Sequence, residues 1–133
     1  MPLLAGRKKL FFAAVVVWAV LLAFFSLVPH KTLWRLAPSE DLHNLAHLLA
    51  YAVLAYFVCF WLRFRRWFFG RHANLVWTAV FGFVLTIVWG GVTELLQLLR
   101  TDRYTDFKDW AVDNAGAALG VLLFFFVRKL RKQ

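Results

Sequence analysis

Four long apolar segments limit the possible folds of this chain more than any other feature of its sequence. Each contains 18 or 19 residues: Leu10–Val28, Leu45–Leu62, Leu75–Thr93 and Trp110–Val127. A helix rises about 1.5 Å per residue, so each segment can cross a hydrocarbon core about 30 Å thick. Because continuous apolar runs select helices over barrel strands in lipid, the sequence predicts an all-α polytopic membrane protein with four transmembrane helices.

The third helix is expected to continue through Glu94 as far as Gln97. The predicted spans are therefore 10–28, 45–62, 75–97 and 110–127, within a single membrane domain that covers residues 1–133. Of the 133 residues, 62% are hydrophobic and 17% charged, whereas soluble domains have about 45–50% and about 25%. The single cysteine, Cys59, excludes an internal disulfide and is expected to pack inside the second span.

The first apolar segment shares one feature with secretory signal peptides, since three cations (Arg7, Lys8 and Lys9) precede it. Its apolar core is longer than the usual length of about 7–15 residues, and no small-x-small cleavage site follows Ser26. An uncleaved first span is therefore predicted.

The distribution of cations predicts the orientation of the spans. Eleven of the sixteen Lys and Arg residues lie at the two termini and between the second and third spans, and five lie in the other two connections. The positive-inside rule then places both termini in the cytoplasm. All seven acidic residues lie on the opposite, extracytoplasmic side.

The net charge of +9 leaves two classes of partner to consider. The connection between the second and third spans mixes arginines with Trp67, Phe68 and Phe69, and such a mixture can stack on nucleic-acid bases or lie at lipid headgroups. Because this connection is short and tethered at both ends, we expect membrane lipids as partners and no nucleic acid.

Polar residues of three spans are predicted to meet at one membrane depth, since the second span begins, the third ends and the fourth begins on the extracytoplasmic side. Within each span these residues recur every three or four positions, which places them on one helix face. Ionisable groups at a membrane boundary are costly and indicate a functional site. The candidate ligand-binding residues are His43, His47, Tyr51, Glu94, Gln97, Arg103, Asp109 and Asp113.

Each of these residues also has a purely structural interpretation. His47 could be a packed, hydrogen-bonded helix residue, and Glu94 could reach water from a helix end. Asp109 and Asp113 lie in the first turns of a helix, where the dipole favours negative charge. Arg103 could balance those charges. The functional hypothesis depends on the common depth of the residues on three helices.

The chemistry expected of this cluster is ligand binding or acid–base catalysis. Two histidines and several carboxylates could hold a metal, but no dedicated zinc motif such as HExxH is present, so we predict no metal and no cofactor. GxSxG, Cys–His and Walker-type patterns are absent from the sequence as well. The cluster could hold a phosphate headgroup with Arg103, or use His47, Glu94 or Asp109 as a catalytic acid or base. Enzymatic activity is left open.

Small residues predict close packing of the last two spans. Gly116 and Gly120 form a small-xxx-small stripe, GAALG, that allows the fourth helix to approach a neighbour closely. Gly82 and Gly90 permit a similar approach on the third helix.

The polar residues and these glycines together resemble the VanZ-like family of small bacterial membrane proteins. The family pattern begins with a Ser-x-x-Pro turn, matched by Ser26 and Pro29, and continues with His-x-x-x-Tyr, matched by His47 and Tyr51. The remaining matches are Glu94, Gln97, Arg103, Asp109, Asp113, Gly116 and Gly120. The resemblance runs from about Ser26 to Gly120.

Two departures from the family pattern concern the outer face. The Asp-Lys that usually precedes the histidine is His43-Asn44 here, so Asp41 would have to replace the acidic residue. The Pro-Gly that usually precedes the arginine is Thr101-Asp102, which implies a different loop conformation.

The cluster and the resemblance together imply a protein of the bacterial cytoplasmic membrane that acts in the cell envelope. Its cluster would bind an anionic or lipid-linked component, such as a lipid-linked cell-wall intermediate or a lipoglycopeptide, and lower susceptibility to teicoplanin-type antibiotics. Two alternatives remain: a small membrane enzyme acting on a lipid phosphate or related ester, and a structural four-helix module of a homo-oligomer. A transporter with four spans and no internal repeat would need an oligomer.

Overall fold

The computed structural model describes residues 2–29, 32, 35, 39–64, 74–99 and 107–130. These residues form no strand and four long helices: α1 (Pro2–Leu27), α2 (Glu40–Arg63), α3 (Leu75–Leu98) and α4 (Phe107–Leu130). All four are long and apolar enough to cross a membrane. The predicted all-α, four-span architecture is confirmed, while the single-domain boundaries and the cytoplasmic location of the termini stay predictions.

Helix α2 begins at Glu40, ahead of the span predicted from Leu45, because its first turn is polar and capped. Ser39 is the N-cap, and its hydroxyl accepts a hydrogen bond from the Leu42 N–H at 3.2 Å. Glu40 and Asp41 place negative charge in the first turn, where the helix dipole favours it. Hydropathy alone marks the apolar part of a helix and misses such a polar first turn.

The other three helices begin at or before the predicted residue. α3 begins at Leu75 as predicted, and the Asn74 side chain caps it by accepting a hydrogen bond from the Val76 N–H at 2.9 Å. α1 begins at Pro2 instead of Leu10, so the three cations that precede the apolar segment are helical. α4 extends the predicted span 110–127 by one turn at each end, to Phe107 and Leu130.

Helix α2 is the centre of the bundle, because it packs against all three other helices and most extensively against α4. On the side of α1, Leu54 and Val58 of α2 are buried against Trp18 and its neighbours. The Trp18 indole N–H also donates a hydrogen bond to the Ala50 carbonyl oxygen at 2.8 Å. Side chains on the other helices are therefore positioned mainly relative to α2.

Glycines of α4 bring its backbone against that of α2. A Cβ atom at Gly116 would overlap the carbonyl oxygen of Leu48, and a Cβ atom at Gly120 would overlap that of Ala52. The close packing predicted from GAALG is confirmed, and the partner is α2.

Helix α3 buries small and polar residues and exposes large apolar ones. Its buried residues are Thr78, Ala79, Gly82, Thr86, Gly90, Thr93 and Gln97. The Thr86 hydroxyl donates to the Gly82 carbonyl at 2.8 Å, so this polar group is satisfied within the helix. Val76, Val88 and Leu95 are exposed instead, as expected for side chains that face lipid.

Aromatic side chains fill the bundle near the ends of α2 and α4. The Phe60 ring lies edge-on to Phe124, with ring centroids 5.0 Å apart, and stacks on Phe11 of α1 at 5.2 Å. Cys59 is fully buried in this aromatic cluster, which confirms its predicted packing in the second span. The opposite end of the bundle is polar.

Candidate functional site

The candidate site lies at the end of the bundle where α2 begins, α3 ends and α4 begins. Because the apolar runs place all three helices across a membrane, this end is at one membrane boundary. The members of the polar cluster within the described residues are His43, His47, Tyr51, Thr93, Glu94, Gln97, Asp109 and Asp113. Arg103 lies outside the described residues, so its predicted place beside the cluster stays a prediction.

A contact between His47 and Asp113 forms the centre of the cluster. The His47 Nδ1 atom lies 2.8 Å from Asp113 Oδ1. The Asp113 carboxylate is nearly fully buried, at 2% relative exposure, whereas His47 is partly accessible. Asp113 is three residues from Gly116, so the close approach of α4 to α2 brings this carboxylate to the histidine.

His43 and Asp109 form an outer layer one helical turn away. The His43 Nε2 atom lies 3.9 Å from Asp109 Oδ2, and the rings of His43 and His47 have centroids 4.7 Å apart. Further out, the exposed side chains of Lys108 and Glu40 form an ion pair between the first turns of α4 and α2. Sequence reasoning missed this pair.

Tyr51 joins the cluster to α3 in its inner layer. Its ring is nearly parallel to that of His47, at 6.4 Å between centroids, and its hydroxyl lies 2.5 Å from the Thr93 hydroxyl. Thr93 donates to the Gly90 carbonyl at 2.8 Å, so Tyr51 is the donor to Thr93. Sequence reasoning missed Thr93, although its position in the stripe of small and polar residues on α3 would have identified it as buried.

The two predicted site residues of α3, Glu94 and Gln97, differ in burial. Gln97 is buried at 4% exposure, and Glu94 is half-buried. With Asp109 and Asp113, Glu94 gives the described cluster three carboxylates against two histidines. The structure thus places seven of the eight predicted residues at one end of the bundle, and their predicted role in binding or catalysis stays a hypothesis.

Two side-chain oxygens of α4 are buried without a hydrogen bond in the described part of the chain: the carboxylate oxygen Asp113 Oδ2 and the amide oxygen Asn114 Oδ1. A buried polar atom without a partner is unfavourable, and in native proteins it is uncommon. Within the inner layer, Asp113 Oδ2 therefore has unused hydrogen-bonding capacity. Asn114 was not among the predicted residues.

Three groups of the cluster have the composition of a metal site. Ligand atoms of His43, His47 and Asp109 all lie within 4.8 Å of one another, and each residue is half-buried. Nitrogen and carboxylate donors of this kind suit zinc and other first-row transition metals.

This arrangement of four apolar helices and a polar cluster can be compared with known families. The family model described as VanZ/LLP1 matches residues 9–128, which is nearly the whole chain. The chain belongs to the VanZ/LLP1 family. The match includes the predicted site residues on α2, α3 and α4 and confirms the resemblance derived from them. With the four spans, VanZ/LLP1 membership identifies a multi-pass membrane protein.

Beyond the VanZ/LLP1 match, the chain shows no significant similarity to a curated protein or to a solved structure.

Proposed function

We propose that this VanZ/LLP1 protein binds the headgroup of an anionic or lipid-linked envelope component in its polar cluster, at the extracytoplasmic face of the bacterial cytoplasmic membrane. Binding there would lower susceptibility to teicoplanin-type lipoglycopeptides by changing access to that component. The observation that supports this proposal best is the division of the cluster into layers. His43, His47 and Asp109 are accessible, whereas Asp113, Tyr51 and Thr93 are buried behind them.

The two layers suit different tasks. The buried groups position their neighbours, since Asp113 contacts the accessible His47 and Tyr51 contacts Thr93. The accessible groups remain available to an outside ligand at the level where lipid headgroups lie. The imidazole N–H groups, with Arg103 expected nearby, are suitable donors to phosphate oxygens.

The first experiment measures teicoplanin susceptibility in a bacterial host that expresses wild-type protein, Glu94→Gln or Glu40→Gln at matched membrane abundance. Both substitutions replace a carboxylate by an amide at the same end of the bundle, but Glu40 is exposed and lies outside the cluster. We expect wild type and Glu40→Gln to protect the host and Glu94→Gln to lose protection. Equal protection by all three proteins would contradict a role for the cluster.

A second experiment measures ligand binding directly. Purified protein in neutral-lipid nanodiscs is titrated with an anionic phospholipid and with a lipid-linked cell-wall intermediate, and Trp fluorescence is recorded. Preference for either ligand over neutral lipid, weakened by His47→Gln, supports the proposal. No preference for any anionic or lipid-linked ligand would contradict it.

A second candidate function is catalysis on a lipid phosphate or related ester. The 2.8 Å contact between His47 and Asp113 favours it, because a buried carboxylate that orients an accessible imidazole is a common acid–base arrangement. The test compares lipid composition of membranes with wild-type protein and with His47→Gln. Turnover that depends on His47 would establish an enzyme, and identical lipid profiles would count against one.

A further inference from the structure

The accessible layer of the cluster brings together three side chains with metal-binding donors. His43 and His47 are four residues apart on one face of α2, and Asp109 reaches them from α4. Two histidines at this helical spacing can bind one ion from successive turns, as in helical zinc motifs. Because the three residues come from two helices, they are not simply a row of charged side chains on the solvent-exposed face of one helix.

The inner layer supplies the support that metal-bound histidines require. Ligating histidines usually use one ring nitrogen for the metal and donate the other N–H to a carboxylate or carbonyl. His47 can provide this arrangement, because Nδ1 lies 2.8 Å from Asp113 Oδ1, so that Nε2 would be the nitrogen that binds the metal. Asp113 is almost fully buried, and its second oxygen has no hydrogen bond in the described part of the chain. Asp113 Oδ1 is therefore in position to orient the ring.

The geometry requires only side-chain adjustment. Zinc binds nitrogen and carboxylate oxygen at about 2.0–2.2 Å, so ligand atoms in a tetrahedral site are about 3.4 Å apart. The ligand atoms here all lie within 4.8 Å of one another, and His43 Nε2 lies 3.9 Å from Asp109 Oδ2. Rotation about the side-chain bonds of the half-buried His43 and Asp109 can close the difference.

We propose that His43, His47 and Asp109 bind one divalent transition-metal ion, zinc in particular, with Asp113 as a positioning residue. This proposal replaces the expectation of no metal, which was based on the absence of a dedicated sequence motif. Two imidazoles and one carboxylate select zinc over magnesium and calcium, which prefer all-oxygen sites. Three protein ligands leave a coordination position open to water or to an oxygen of an outside ligand.

The proposal also addresses the charge of the cluster. A divalent cation bound by the two histidines and Asp109 would offset the carboxylates of the cluster and attract a phosphate or carboxylate oxygen. Metal binding itself does not depend on the proposed function and can be measured in its absence. The two can therefore succeed or fail separately.

The experiment uses the full chain, purified in detergent with a histidine-free affinity tag and stripped with a chelator. Equilibrium dialysis against zinc, followed by elemental analysis, measures the bound metal, and magnesium serves as the comparison ion. We expect about one zinc per chain and no retained magnesium. We expect His43→Ala, His47→Ala and Asp109→Asn each to weaken zinc binding at least roughly 100-fold, because each removes a ligand.

Matched controls change the same residue types elsewhere. Glu40→Gln neutralises an exposed carboxylate in the first turn of α2, outside the three-ligand set. His72→Ala removes a histidine from the connection between α2 and α3. Both should bind zinc as the wild type does. Failure of the wild type to bind zinc, or equal loss in the controls, would overturn the proposal.

Asp113→Asn tests the positioning role. It should retain one zinc per chain with affinity reduced about 10–100-fold, the usual effect of losing such a partner. Since Asp113 is buried, size-exclusion profile and helical circular dichroism are compared with wild type first. If the variant does not fold, the half-buried ligand variants His43→Ala and Asp109→Asn decide the outcome. Unchanged affinity in a folded Asp113→Asn protein would contradict the positioning role.

Discussion

At the residue scale, the contact of His47 with Asp113 joins α2 to α4 within the polar cluster. The spacing of His43 and His47, and of Asp109 and Asp113, follows from helical periodicity and is readable from the chain. The pairing of His47 with Asp113 depends on the axial register of α2 against α4, which hydropathy does not determine. Thr93 was missed because a threonine within an apolar segment does not by itself indicate a contact with another helix.

The buried hydrogen bond between Tyr51 and Thr93 should contribute measurably to stability. Removing one partner with Tyr51→Phe or Thr93→Val should reduce the free energy of unfolding by roughly 0.5–1.5 kcal/mol, near the values for buried and interhelical hydrogen bonds. The measurement is unfolding in mixed detergent micelles, followed by tertiary fluorescence.

The double variant distinguishes a hydrogen bond from two separate packing effects. If the two hydroxyls bond each other, Tyr51→Phe with Thr93→Val should cost less than the sum of the single changes. Tyr56→Phe, which removes a hydroxyl from the aromatic cluster near the other end of α2, is the matched control. Strict additivity of the Tyr51 and Thr93 changes would show that the contact adds nothing.

At the scale of the helices, the presence of each helix could be predicted from the sequence, whereas the residues at which the helices begin and end were predicted less accurately. Nearly all of each apolar segment is helical, because lipid leaves its backbone no better way to satisfy hydrogen bonds. The ends moved outwards where a polar residue caps or charges the first turn, as Ser39 does for α2. The choice of α2 as the partner of the GAALG stripe could not be predicted, since every helix offers an apolar face.

The crossing of α2 and α4 should be sensitive to any side chain at Gly116. Gly116→Ala places a methyl group where the Leu48 carbonyl oxygen lies, so the helices must separate. We expect a loss of roughly 1–3 kcal/mol in the free energy of unfolding, as for other overpacked interiors. The thermal transition of purified protein, followed by circular dichroism, should fall accordingly.

Gly91 offers a control for the helical propensity of glycine. A Cβ atom there meets nothing within 4 Å, so Gly91→Ala should be neutral or stabilise the helix by roughly 0.5–1 kcal/mol. Comparable destabilisation by Gly91→Ala and Gly116→Ala would show that the crossing is not as close as described.

At the scale of the whole molecule, the distribution of buried and exposed residues is typical of a protein that spans a membrane. The described interior contains Thr78, Thr86, Thr93, Gln97 and Asp113, whereas large apolar side chains are exposed on all four helices. The high apolar content of the sequence predicted a membrane protein, and the exposed apolar side chains agree with that prediction. Composition could not predict which polar residues of a span face inwards, because that depends on the neighbours each helix acquires.

The orientation predicted from the cations can be tested at the two ends of the bundle. After Cys59→Ala, a single cysteine is introduced by Glu40→Cys or by Lys129→Cys, both at exposed positions. A membrane-impermeant maleimide should label the first in intact cells and the second only after permeabilisation. Labelling of Lys129→Cys alone in intact cells would place the polar cluster on the cytoplasmic side.

The contact of the α4 glycines with the α2 backbone has a consequence for how the protein responds to its bilayer. Backbone atoms set the separation of these two helices, and backbone atoms cannot change rotamer as long side chains do. His47 is next to Leu48 and Asp113 is one turn before Gly116, so both groups move with the crossing. A thicker or thinner membrane should therefore tilt α2 and α4 as one unit and leave the spacing of the histidines and carboxylates unchanged.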